Sequence, residues 1–378
     1  MSHCYHRFVF FLPGFDPRGA SFYHQLFKDS ASDQGQLRQI NYVVDDRKRL
    51  SSLIHQWKVS ASSQSTCADT VVTHFSWDDI VRAYWPKGLL SVLRAFVALL
   101  PLHYFGGGVL RIKRLGAKGP FYSALIPMLV ILCAAFLGLL VLGLLHTVGA
   151  PLLVGMLVSP FVFFLTLKVA DRLKVFWLLR IYHFVALWGW RKVPELDARL
   201  ERWSLALKAA LADDDTDEVI FVGHSIGVLL LIDVLSRLPL DANTQKLKVL
   251  SLGHSVPLMV EMPAPWFKEK VDRVSRMNLS FYDVTAAMDG ASFYGVSPLY
   301  SAKKDTAQCY SARFFDLFSD ESYSKIRRDP YRMHFQYFHP TEKVGLMDFP
   351  WLVFSPGDLE DKFEKYPEAR IDMMKGVR

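Results

Sequence analysis

"DEVIFVGHSIGVLLLIDVLSRL", residues 217–238, is the stretch on which the reading of this chain turns. The apolar run Val219–Val222 stops at Gly223, and a helical apolar pattern begins just past Gly227. Between them stands Gly223-His224-Ser225-Ile226-Gly227. A strand that breaks into a helix through such a turn strains the serine backbone and lifts its hydroxyl above the sheet edge. The pentapeptide alone is weak; the buried strand before it and the apolar helix after it give it weight. The helix start at Ser225–Ile226 also offers backbone N–H groups to a developing oxyanion. The bland alternative is a small residue in a tight loop.

The tripeptide Gly-His-Ser occurs again in "LGHSVP", residues 252–257. There Pro257 replaces the closing glycine and no helical pattern follows, so His254 and Ser255 read as loop residues at a strand end. Ser225 is the candidate nucleophile.

Working outward, strands are expected at Phe8–Leu12, 40–44, 70–75, 219–222, 246–253, 277–284 and, last, in "RFFDLF" (313–318). "SASSQSTCAD" reads as a loop and Trp77–Trp85 as a helical segment. Further helices are expected from Pro194 to about Ala212 and over 226–238. Apolar strands alternating with helices indicate an α/β class with a mostly parallel sheet flanked by helices.

The chain has 378 residues, 51% of them hydrophobic, and a net charge of +7. The hydrophobic excess is local: Gly119–Leu167 contains no Asp, Glu, Lys or Arg, and it breaks at "HTVGAP", 146–151. Two crossings of roughly 20 residues fit there. Spans at 121–145 and 152–167 are therefore expected as a transmembrane hairpin, against the alternative of two buried core helices. Arg111, Lys113, Arg114 and Lys118 precede the hairpin and Lys168, Arg172 and Lys174 follow it, which places both flanks in the cytoplasm. The polar start, "MSHCYHRF", gives no cleavable signal peptide. Residues 88–105 and 173–192 read as amphipathic helices of the headgroup layer, with a buried helix as the alternative for the second.

Cys4, Cys67, Cys133 and Cys309 are scattered, with neither a disulfide framework nor metal-ligand spacing. His3, Cys4 and His6 form no metal site. "DDDTDE", 213–218, lacks the pattern of a calcium loop and reads as solvated. "FGGGV", 105–109, lacks the Lys-Ser/Thr of a phosphate loop and reads as a flexible joint. The basic charge sits around the hairpin without a nucleic-acid motif, so it suits lipid headgroups and excludes nucleic acid as the expected partner. From about Asp358 the tail reads as exposed and charged.

With "LPGF" near the start, "GHSIG" and acids and histidines downstream, the chain resembles the α/β-hydrolase family, of the membrane-associated serine esterase or lipase type. The resemblance covers 7–76 and 195–340. It departs from the family by starting almost directly at the first strand, so the usual leading strands are expected to be absent. A serine hydroxyl needs a base, and the base an acid that fixes its tautomer; the family's chain order is Ser, then Asp or Glu, then His. Asp289, in the loop beyond the strand and followed by Gly290, is favoured as the acid over Asp283, which lies within the strand. His334, in an aromatic setting, is favoured over His339; His224 and His254 are adjacent to the two serines and point away from them. The resemblance implies an oxyanion hole from the N–H groups of Phe15, in the turn at Gly14, and Ile226; a plain turn at Pro13-Gly14 is the alternative. Asp233 reads as a structural helix residue.

The expected organisation is a first part of an α/β-hydrolase domain (1–85), a membrane insertion (86–192) and the second part (193–378). The implied activity is hydrolysis of a lipid or other acyl ester, with no cofactor or metal. An acyltransferase or thioesterase with the same triad, and a non-catalytic membrane protein on this scaffold, remain as alternatives.

Overall fold

The computed structural model describes residues 4–63, 66–240, 244–262 and 264–371; His3 and the tail 372–378 lie outside them. Among the described residues one sheet forms from β1 (Cys4–Leu12), β2 (Asn41–Val44), β3 (Lys48–Arg49), β4 (Ile54–Ser63), β5 (Thr66–Phe75), β6 (Glu218–His224), β7 (Leu247–Leu252), β8 (Ser280–Thr285) and β9 (Ala307–Ser311). Its order is β2-β4-β5-β1-β6-β7-β8-β9, with β3 beside β4. The run from β5 to β9 is parallel, whereas β4 pairs antiparallel with β5, β2 and β3. Every residue of β6 and of β7 is buried, as an all-apolar strand requires when helices cover both sheet faces.

One face packs under the helix Ala20–Arg38 and the late helix Phe349–Phe354, where Phe11, Phe27, Phe338 and Phe349 meet edge-on or tilted. Each such ring contributes about 1.5–3 kcal/mol on burial. The other face carries the helices Pro194–Leu211, Gly227–Leu235 and Trp177–Gly189.

Two helices, Lys118–Thr147 and Leu152–Arg172, are long and apolar enough to cross a membrane. They pack on each other at Gly138, where a Cβ would lie 3.1 Å from the Ser159 carbonyl oxygen, the close backbone approach that small residues permit in lipid. Away from that seam Phe136, Leu139, Leu153, Leu157 and Phe161 are exposed, a surface suited to hydrocarbon. Ahead of them, Asp78–Tyr84 and the continuous Leu89–Phe105 meet at 88°.

Several expectations are corrected. The stretch expected as a loop, 60–69, is mostly strand: β4 and β5 form a long antiparallel hairpin, with the tip residues Gln64 and Ser65 outside the described set. The early edge of the sheet is thus well supplied with strands. "RFFDLF" is not a strand; β9 lies before it and Phe314–Leu317 is a single helical turn that buries Phe314 and Leu317. A short helix, Pro257–Val260, does follow the second Gly-His-Ser. The helix Trp177–Gly189 is not a headgroup-layer helix but a buried one, with Phe184 stacked on Phe15 at 4.5 Å.

The tail does not hang free. Leu359 and Phe363 are buried, and the Arg7 guanidinium, paired with Glu218 at 2.6 Å, also donates to the carbonyls of Val353, Ser355 and Gly357. Glu218, expected in a solvated run, is fully buried. Two glycines of 105–109 stand against backbone: a Cβ on Gly106 would lie 2.5 Å from the Pro101 carbonyl oxygen and one on Gly108 3.0 Å from the His103 Cα, while Gly107 takes φ 75. Cys4 and Cys67, register partners on β1 and β5, form a disulfide with Cα atoms 4.8 Å apart. Disulfides belong to oxidising compartments, which weighs against the cytoplasmic placement expected from the flanking Lys and Arg.

Candidate active site

β6 ends at His224, and the helix Gly227–Leu235 begins three residues later. Ser225 bridges the two at φ 56, a left-handed conformation that costs a non-glycine residue of order 1–3 kcal/mol and clusters at functional sites. Its N–H donates to the Leu252 carbonyl at 2.9 Å, which ties the turn to the end of β7. The flanking glycines are steric necessities. A Cβ on Gly227 would collide with the Leu12 carbonyl oxygen, and one on Gly223 would lie 3.0 Å from the Val228 Cα.

The loop after β1 closes over this turn. A Cβ on Gly14 would lie 3.1 Å from the Ser225 Cβ, and the Asp16 N–H folds back to the Gly14 carbonyl at 2.8 Å around Phe15. Among the described residues no backbone carbonyl accepts from the N–H of Phe15 or of Ile226. Phe15, Ser225 and His334 line one small pocket, of ≈ 20 Å³, with Trp85, Trp177 and Tyr331. Ile226 follows Ser225 at the helix start.

His334 lies in the helix Pro330–Phe335, started by the Asp329 side chain, which accepts from the N–H groups of Tyr331 and Arg332. Its Nδ1 meets both carboxylate oxygens of Asp289, at 3.0 and 2.9 Å, and both residues are buried. Since the carboxylate only accepts, Nδ1 carries the proton and Nε2 is left as the basic nitrogen. Asp289 also accepts from the Tyr337 hydroxyl at 3.1 Å and the Ala291 N–H at 3.0 Å. No hydrogen bond joins Ser225 Oγ to His334 in this structure; catalytic hydrogen bonds often tighten only when substrate is bound.

Of the two candidate acids, Asp283 is elsewhere. It faces Ser251 across β7, accepting its hydroxyl at 2.6 Å, with His254 Nε2 at 3.7 Å. Burial pushes its carboxyl well above the usual range. His254 donates to the Val296 carbonyl and burial pulls it down to about 4. His339 is half-buried and outside the pocket. Asp233 is held by Arg237 and Lys270 at 2.8 and 2.6 Å.

His224 has a role that the sequence did not reveal. It is fully buried against the His334 ring, at 4.6 Å between centroids, and donates Nε2–H to the His334 carbonyl at 2.9 Å. Burial, and then the neighbouring His334, hold it well below the usual imidazole range. A neutral imidazole therefore anchors the backbone of the candidate base. Tyr337, Trp177 and Tyr331 were also missed. Trp177 packs edge-on against His334 at 5.4 Å, and Tyr331 packs on Trp177 at 5.2 Å. Only the run of aromatics around His334 hinted at them.

The first of the two long apolar helices reaches this site as well. A Cβ on its Gly119 would lie 2.9 Å from the Gly290 Cα, and Ser123 Oγ donates to the Gly290 carbonyl at 3.1 Å. The loop that carries Asp289 thus rests on that helix. Among the described residues no group of His, Cys, Asp or Glu is arranged to hold a metal ion.

Compared with protein-family models, curated proteins and solved structures, the chain matches none.

Proposed function

We propose that this chain is a membrane-anchored serine hydrolase of the α/β-hydrolase type, cleaving carboxylic esters drawn from the bilayer. The observation that carries the reading is the Asp289–His334 pair, held in the same pocket as a serine at φ 56. Ser225 Oγ attacks the ester carbonyl while His334 Nε2 takes its proton. Asp289 keeps Nδ1 protonated and stabilises the imidazolium. The N–H groups of Phe15 and Ile226 receive the oxyanion. The proton then passes to the leaving alkoxide, giving an alcohol and an acyl-serine. Water, deprotonated by His334, attacks the acyl-serine and releases a carboxylic acid, restoring Ser225.

The two apolar helices support membrane anchoring. The test is fluorophosphonate labelling of wild type beside Ser225→Ala, His334→Ala and Asp289→Asn, followed by a panel of lipid esters. Labelling of wild type with loss in Ser225→Ala supports the proposal. A folded wild type that takes no label favours a non-catalytic scaffold.

A further inference from the structure

The pocket at Ser225 encloses only ≈ 20 Å³, about the room one water needs and far below the range of sites that enclose a drug-sized ligand. A lipid ester must therefore extend out of it. Two further hollows continue it in one direction. The first shares Asp16, Pro17, Trp85, Trp177 and Tyr331 with the Ser225 pocket and adds Arg18, Asp171, Lys174 and Arg180. Asp171 also lines the second hollow, a groove between the start of the helix Leu89–Leu99 and the end of the second membrane helix.

That groove is apolar at Leu89, Leu90 and Phe164 and charged at Lys168 and Arg172. Its composition changes along the membrane helix in the sense expected where hydrocarbon gives way to headgroups. Leu90 is 62% exposed and Phe164 39%, so the groove has no cover from the chain itself. The middle hollow is polar but largely self-neutralised. Arg18 pairs with Asp16 at 2.7 Å, Arg180 with Asp171 at 2.8 Å, and Lys174 with Asp329 at 3.5 Å. Arg180 also donates to the Pro86 carbonyl and lies over the Trp85 ring at 5.6 Å. Trp85 and Trp177 stand between the middle hollow and Ser225.

Resting on the hydrolase reading above, we propose that these three hollows are one lateral substrate path. A bilayer lipid ester lays an acyl chain in the groove of Leu89, Leu90 and Phe164, and its ester group passes Trp85 and Trp177 to reach Ser225. Arg180 acts as a positioning residue that holds Trp85 through Asp171 and Pro86. The substrate class is an ester with a long apolar chain, taken from the headgroup layer rather than from water.

The test uses the full chain in phosphatidylcholine vesicles with two substrates: a short-chain water-soluble p-nitrophenyl ester and a long-chain ester dissolved in the vesicle. Leu90→Arg is expected to lower kcat/KM on the vesicle ester at least tenfold relative to the soluble ester. Leu205→Arg, an exposed position on the helix Pro194–Leu211, is the control and should leave the ratio at wild type. A vesicle lipid with a diazirine in its acyl chain should crosslink wild type within 88–90, outside the two long apolar helices. An unchanged ratio in Leu90→Arg, or crosslinks confined to 118–172, overturns the path. Wild type that hydrolyses neither ester and takes no fluorophosphonate overturns the hydrolase reading itself, so the two failures are distinguishable.

Discussion

Gly119→Ala isolates the contact between the first membrane helix and the loop of Asp289. Gly119 is the second residue of its helix and precedes Pro120, so helix propensity adds little to the change. Its new Cβ, however, would stand 2.9 Å from the Gly290 Cα and 3.2 Å from the Asp289 carbonyl oxygen. Non-bonded carbon atoms settle at about 3.5–4.0 Å, so the loop must retreat by roughly 0.6–1 Å. The atoms in the way are backbone and cannot swing aside like a side-chain tip. Asp289 moves with its neighbour, and His334 Nδ1 loses its 2.9 Å partner geometry. A misplacement near 1 Å costs on the order of 10²-fold in rate, which is about 2.7 kcal/mol of barrier. The expected result is a kcat lowered by that factor with KM near wild type, because Asp289 does not touch substrate, and with a stability loss of no more than the about 1–3 kcal/mol of overpacking. Gly143→Ala, in the same helix with nothing within 4 Å, should leave kcat unchanged. Steady-state hydrolysis in vesicles beside a thermal melt measures both. A Gly119→Ala enzyme within twofold of wild-type kcat would refute the reasoning.

The two acids separate by substitution: Asp289→Asn should lower kcat on the order of 10⁴-fold by favouring the wrong His334 tautomer, whereas Asp283→Asn, at a carboxyl bonded to Ser251 rather than to His334 and pushed well above the usual range by burial, should leave kcat within a few-fold. Arg7→Met strands the buried Glu218 carboxylate, so denaturant unfolding should show a loss of about 3–5 kcal/mol. His254 is held near 4 in the folded chain against about 6.5 unfolded. Between those values the unfolded chain binds the extra proton, so this residue's contribution is kept above about 6.5 and lost as pH falls toward 4. Melts of wild type against His254→Gln from pH 7 to pH 4 should therefore show wild type losing stability faster on acidification.

The strand-turn-helix at Ser225 was legible because its constraint is local: two glycines and a serine within five positions, between an apolar strand and an apolar helix. Asp289 was legible from its place beyond the end of β8, where a side chain can meet neighbours above the sheet. The helix Trp177–Gly189 was not, since Trp, Tyr and Arg suit a headgroup layer and an aromatic pocket wall equally. Only the packing of Phe184 on Phe15 and of Trp177 on His334 decides between them. β4 was hidden by its serines, although Trp57, Val59 and Ala61 alternate as a strand with one buried face. "RFFDLF" misled because its buried residues, Phe314, Leu317 and Phe318, fall at i, i+3 and i+4, a helical spacing. The Cys4–Cys67 pairing depends on the β1–β5 register, and spacing along the chain carries no sign of it.

Rapid-quench mass spectrometry of the enzyme with a slowly deacylated long-chain ester tests the central claim most directly. The account predicts an acyl adduct on the peptide containing Ser225, formed in a burst and absent from Ser225→Ala. Turnover without an adduct, or an adduct on Ser255, would contradict it.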